Sequence, residues 1–118
     1  MSKAQWGHGY YKGIEEAQKA SGTLVGLWFH SFNEIGELDW QGKIVRDTED
    51  GYLVQLFSFV DGSPVHQELV DREVTKKWRF YESDFDMRTA YYRHHGWGEE
   101  DIDFAEKCVE LNKKLWAS

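Results

Sequence analysis

Five aromatic residues, Trp28, Trp40, Tyr52, Phe57 and Trp78, recur along one stretch of the chain, and two carboxylates, Glu37 and Asp39, stand just before the second of them. The faces of such rings attract a cation within about 6 Å of the ring centroid, and a nearby carboxylate adds direct charge attraction. If neighbouring strands gather these rings beside the acidic turn, the chemistry on offer is capture of a cationic small ligand or a basic protein segment. The same rings also suit a barrel core with a subunit contact. These seven residues form the expected ligand-binding set.

Other groups point to chemistry less directly. His94 and His95 lie beside Tyr91, Tyr92 and Arg93, but adjacent helical residues point about 100° apart and cannot share a metal as an i, i+4 pair does. They fit a helix end, where positive charge meets the negative end of the helix dipole. Asp84, Asp86 and the run Glu99-Glu100-Asp101 are explained the same way, as acids in first helical turns. The single Cys108 falls on a helical pattern and reads as a buried, inert thiol. No phosphate-binding glycine loop, nucleophile elbow or Cys–His dyad is present in the sequence. The expectation is therefore no catalytic residue, no metal and no cofactor. An enzyme with its site between subunits would have to draw on Gln55, His30, His66 and Tyr52, the nearest polar groups on strands.

Charge narrows the partners. The 118 residues hold 21 acidic and 14 basic side chains, a formal net charge of −7. Phosphate backbones and anionic membranes want Lys and Arg, so nucleic acid and membrane are disfavoured. The basic run Arg72, Lys76, Lys77 and Arg79, with Trp78 inside it, is too small a footprint to reverse this. No apolar leader follows Met1 and no apolar run nears spanning length, which reads as a cytoplasmic protein.

The elements that must position these groups follow from periodicity. Thr23 to Phe32, Trp40 to Arg46, Tyr52 to Val60, Val65 to Val70 and Trp78 to Tyr81 are rich in β-branched and aromatic residues, and turn clusters separate the first four. Asp50-Gly51 and Asp61-Gly62 supply the positive φ that tight reversals need. The first and third strands carry large apolar groups on both faces, so both sides of the sheet must be covered. After Tyr81 the period becomes helical. Ser83 with Asp86 resembles a capping box, Gly96 stops the first helix, and a second runs from about Glu99 with a broad stripe of Ile102, Phe104, Ala105, Cys108, Val109, Leu111 and Leu115. The tail hairpin alone is too small to cover the sheet, so a homo-oligomer is expected.

The chain thus reads as one α+β domain over 1–118. Residues 1–22 form an arm, carrying Trp6-Gly7-His8-Gly9-Tyr10-Tyr11, and a short helix. Residues 23–81 form a small antiparallel SH3-like half-open barrel or a five-stranded meander, and 83–118 a helical hairpin. Trp40-Gln41-Gly42-Lys43-Ile44-Val45, then Gly51-Tyr52-Leu53-Val54 and Gly62-Ser63, resemble the strand pattern of the plasmid-borne type II dihydrofolate reductases, SH3-like barrels that work as tetramers around a pore. The resemblance implies that fold and assembly. It carries over no catalytic residue, because the family's Val-Gln-Ile-Tyr strand reads Val65-His66-Gln67-Glu68 here. The expected function is an oligomeric interaction module with an acidic, aromatic-rich surface, an enzyme being the second choice.

Overall fold

The structure is a computed structural model and describes residues 10–11, 14–59 and 62–117. Strand β1 (Tyr10–Tyr11) precedes helix α1 (Ile14–Ser21), and strands β2 (Trp28–Phe32), β3 (Leu38–Thr48), β4 (Gly51–Phe57) and β5 (Pro64–Val70) follow as a meander. A helical turn α2 (Arg72–Thr75) leads to β6 (Arg79–Tyr81), and helices α3 (Asp84–His94) and α4 (Glu99–Ala117) close the chain. The sheet is antiparallel and not closed, in the order β1-β6-β2-β3-β4-β5, so the five strands from β2 to β6 carry the two-residue β1 at one edge. Of the expected N-terminal arm, all but Tyr10–Tyr11 lies outside the described residues. Among the described residues, no helix is long and apolar enough to cross a membrane.

Local chemistry explains the turns. Between β3 and β4, Thr48 Oγ1 donates to the Gly51 carbonyl at 2.7 Å and accepts from the Asp50 amide at 3.2 Å, while Gly51 takes φ 143°, open to glycine. The Asp71 side chain accepts from the Glu73 amide at 2.8 Å and caps α2. Ser83 caps α3, accepting from the Asp86 amide at 3.1 Å and donating to the Asp86 carboxylate at 2.8 Å. The shorter acid thus closes the cap through the Ser83 hydroxyl.

One strand is shorter than its sequence pattern predicts. Thr23 to Leu27 are not extended, because Gly26 turns at φ 92° and the Leu27 amide donates to the Leu24 carbonyl at 3.1 Å. Leu24, which strict strand alternation would put on the face of Trp28, instead joins the core around Phe29. Register shifts within the β2–β3, β3–β4 and β4–β5 pairs bend the sheet further.

Both faces are covered by this one chain over much of the sheet. On one side Phe29, Ile44, Val54, Leu56 and Phe80 pack under Ala17 of α1, Leu24, Leu27 and Trp78, whose ring stacks on Phe29 at 4.2 Å between centroids. On the other, Trp28 and Tyr81 meet Met87 and Ala90 of α3. The apolar stripe expected along α4 divides: Ile102 is buried, whereas Phe104, Leu111 and Leu115 are 70, 61 and 71% exposed. At Gly42 β3 passes close beneath Phe29, since a Cβ there would lie 2.8 Å from the Phe29 ring and also strike the Gln55 carbonyl. Gly42→Ala should therefore destabilise the fold by about 2 kcal/mol or more, the scale of overpacking a tight core, measured by urea unfolding.

Candidate functional site

The second face of the sheet is not filled. Trp28 on β2, Gln41 on β3 and Phe57 on β4 form the floor of a partly open cavity of about 650 Å³. The β4–β5 turn contributes Ser58, Phe59 and Gly62, β5 contributes Pro64, α3 contributes Asp84, Met87, Arg88, Tyr91 and Tyr92, and α4 contributes Ala105, Cys108, Val109, Asn112 and Lys113. Trp97 lies in the link between the helices. That volume falls in the usual range for small-molecule sites, and the lining is mostly apolar, as such sites are.

Stacked rings hold the walls. Phe59 stacks on Tyr91 at 4.8 Å, Tyr92 on Trp97 at 4.8 Å, and Trp28 meets Phe57 at 5.2 Å. Trp97 reaches its partner because Gly96 turns at φ 79° and the Trp97 amide donates to the Tyr92 carbonyl at 3.0 Å. Large planar groups from both layers therefore line the space.

An ion network fixes α4 to α3 along one wall. The Arg88 guanidinium donates to Glu106 at 2.9 and 2.7 Å and to Asp84 at 2.7 Å, and Lys113 donates to Asp84 at 3.0 Å. The Arg88 side chain is 12% exposed, so the two-pronged contact is worth more than a surface pair. Burial pushes the Asp84 carboxyl up, but hydrogen bonds and charge from Arg88 and Lys113 together outweigh it and hold that group below its ordinary value. Burial likewise lowers the Arg88 pKa, and its two carboxylate partners more than reverse this.

A buried polar chain runs through Gln41 of the floor. Gln41 donates from its amide nitrogen to the Ser58 carbonyl at 2.9 Å, which turns its oxygen toward His30 Nε2 at 3.4 Å. The ring therefore carries its proton on Nε2, and Nδ1 accepts from the Tyr81 hydroxyl at 2.8 Å. Burial, helped by the charges of Arg79 and His94 and opposed by the Gln41 bond, lowers the His30 pKa from 6.5 to about 3. His30 is a neutral structural ring, 1% exposed.

Of the seven residues read as a ligand set, the fold brings Trp28 and Phe57 together in the cavity. Trp78 and Tyr52 sit in the core of the opposite face, with the Arg72 guanidinium 4.7 Å from the Tyr52 ring centroid. Trp40 is half-exposed beside His66 at 6.1 Å, and Glu37 and Asp39 are exposed. The polar strand residues do not converge either: His66 pairs with Glu68 at 3.0 Å on the exposed edge strand, and Gln55 donates to the Leu56 and His66 carbonyls. His94 ends α3 and His95 caps it, and burial, with His95 and Arg79 nearby, lowers the His94 pKa. Arg72 of the basic run pairs with Asp47, and Lys76 with Glu73. Cys108 is half-buried on the cavity wall rather than fully enclosed. Among the described residues no group of three or more His, Cys, Asp or Glu could hold a metal ion. Sequence reading passed over Arg88, Phe59 and Trp97 as site residues. For Trp97 the signal was there, a large ring directly after a helix-stopping glycine.

The neutral buried histidine has a pH consequence. Its folded pKa is below the unfolded value of 6.5, so the unfolded chain binds the extra proton between about pH 3 and 6.5. The His30 contribution is thus complete above pH 6.5 and is lost as pH falls toward 3, at up to about 1.4 kcal/mol per pH unit. Urea midpoints measured from pH 7 to 4 should fall accordingly, while ¹⁵N shifts of the His30 ring stay those of the neutral Nε2–H form. Ring protonation near pH 6 in the folded protein would contradict this account.

Comparison with known proteins finds no matching family model, no matching curated protein and no matching solved structure.

Proposed function

We propose that this protein is a binding module whose ligand is a small molecule held between the sheet and the helical hairpin. The observation that carries this is the ring-lined cavity of about 650 Å³, large enough for a drug-sized compound. Gln41 is already fixed by the His30–Gln41–Ser58 chain, and Asp84 and Arg88 by their network with Glu106, which supports a largely pre-formed site that loses little freedom on binding. The exposed acidic turn at Glu37 and Asp39 lies apart from this convergence of rings. A meander whose last strand returns beside its first supports an SH3-like half-open barrel as the underlying scaffold.

Self-association belongs to the same proposal. Phe104, Leu111 and Leu115 stand exposed on α4, with Cys108 completing a 4-3-4 spacing, the pattern of a helix–helix seam. A second copy of α4 is the partner whose apolar stripe matches this one.

Two outcomes are expected. In an NMR screen of small apolar fragments, hits should shift the Met87 methyl and the Trp28 and Trp97 indole signals and leave Ile35 and Val74 unmoved. Shifts confined to Trp40 and the Glu37–Asp39 turn would move the site to that surface. In sedimentation velocity, Leu111→Glu should convert a dimer to a monomer without loss of helical circular dichroism. A monomeric parent chain at about 100 μM would remove the seam, since helix pairing this weak has no reach at cellular concentrations.

A further inference from the structure

Resting on the cavity reading above, we infer that the ligand is an uncharged, planar aromatic compound carrying a hydrogen-bonding substituent. The shape of the walls gives the planar body. Trp28, Phe57, Phe59, Tyr91, Tyr92 and Trp97 all line the space, and ring faces accept another ring in offset or edge-on contact.

Charge bookkeeping on the walls gives the neutrality. The charged side chains lining the cavity are Asp84, Arg88 and Lys113. Each is already engaged: Arg88 by Asp84 and Glu106, Lys113 by Asp84 and more loosely by Glu110 at 3.9 Å. An anion brought to Arg88 or Lys113 would also meet the carboxylates of Asp84, Glu106 and Glu110, and a cation brought to Asp84 would meet Arg88 and Lys113. An ion of either sign would thus give up its water for a wall whose charges are already balanced, a cost that a neutral molecule escapes.

The hydrogen-bonding substituent follows from what the network leaves over. Among the described residues, the Asn112 amide and the Tyr91 hydroxyl have no hydrogen-bond partner, and both belong to the lining. An amide offers a donor and an acceptor, and a phenol offers both as well, so a ligand hydroxyl, carbonyl or ring nitrogen is matched from either side. Gln41, by contrast, has its nitrogen on the Ser58 carbonyl and its oxygen toward His30, and is spoken for.

Isothermal titration calorimetry at pH 7 with one ring system in three charge states tests this: 2-naphthol, 2-naphthalenesulfonate and a naphthyl-trimethylammonium salt, with naphthalene as the compound lacking the polar group. We expect 2-naphthol to bind about tenfold or more tighter than either ion. The double variant Tyr91→Phe/Asn112→Leu should weaken 2-naphthol severalfold while leaving naphthalene unchanged. Ala105→Phe, which fills the space from the α4 wall, should abolish binding of all of them, with circular dichroism showing that the variant is folded. If an ion binds as tightly as 2-naphthol, and Ala105→Phe removes that binding, the ligand class is overturned and the cavity stands. If no compound binds, or Ala105→Phe changes nothing, both the ligand class and the cavity reading fall.

Discussion

A sheet with bulky apolar groups on both of its faces must be covered twice, and the two covers here are unlike. On the Phe29 side the covering residues are compact: Ala17, Leu24 and Leu27 fill around the stacked Phe29 and Trp78 rings, and the interior is dense. On the Trp28 side the cover is a pair of helices whose inward residues include Tyr91 and Tyr92, facing a floor that itself carries Trp28 and Phe57. Phe59 of the β4–β5 turn stacks on Tyr91 of α3, so one ring pair bridges the two layers beside the hollow. The hollow is a result of which residues the two layers present to each other.

Gln41 and the charged groups around that hollow are settled before any ligand arrives. His30 is locked as one neutral tautomer by Gln41 and Tyr81, and Gln41 is locked in turn by Ser58. On the opposite wall, Arg88 is shared by Asp84 from its own helix and Glu106 from the next. These contacts set how far α4 stands from α3. Burial costs that would be severe for single charges are offset because each charge has a partner in hydrogen-bond range.

Much of the scaffold was legible in the sequence, for identifiable reasons. β-branched and aromatic runs between Asp-Gly reversals gave the meander, and Ser83, Gly96 and the acidic start at Glu99 marked the two long helices, because all of these are local signals. Thr23 to Leu27 misled, since Gly26 sits inside an apolar run and its turn depends on bonding to Ile44 across the sheet. The α4 stripe was read as one surface, yet Val109 and Phe104 face different surroundings, a distinction set by where the helix docks. The cavity was the least legible part. Trp28 and Phe57 could be named from strand patterning, but their meeting with Tyr91, Trp97 and Arg88 depends on long-range packing of α3 across β2 and β6.

The central claim, that the layers are held apart over an open, ring-walled space, is tested most directly by a crystal structure of the protein under xenon pressure. The account predicts xenon bound between the Trp28–Phe57 floor and the Tyr91, Met87 and Val109 walls, with the helices unmoved. A structure with no xenon there, and with α4 packed down against Phe57 so that the rings touch, would contradict it.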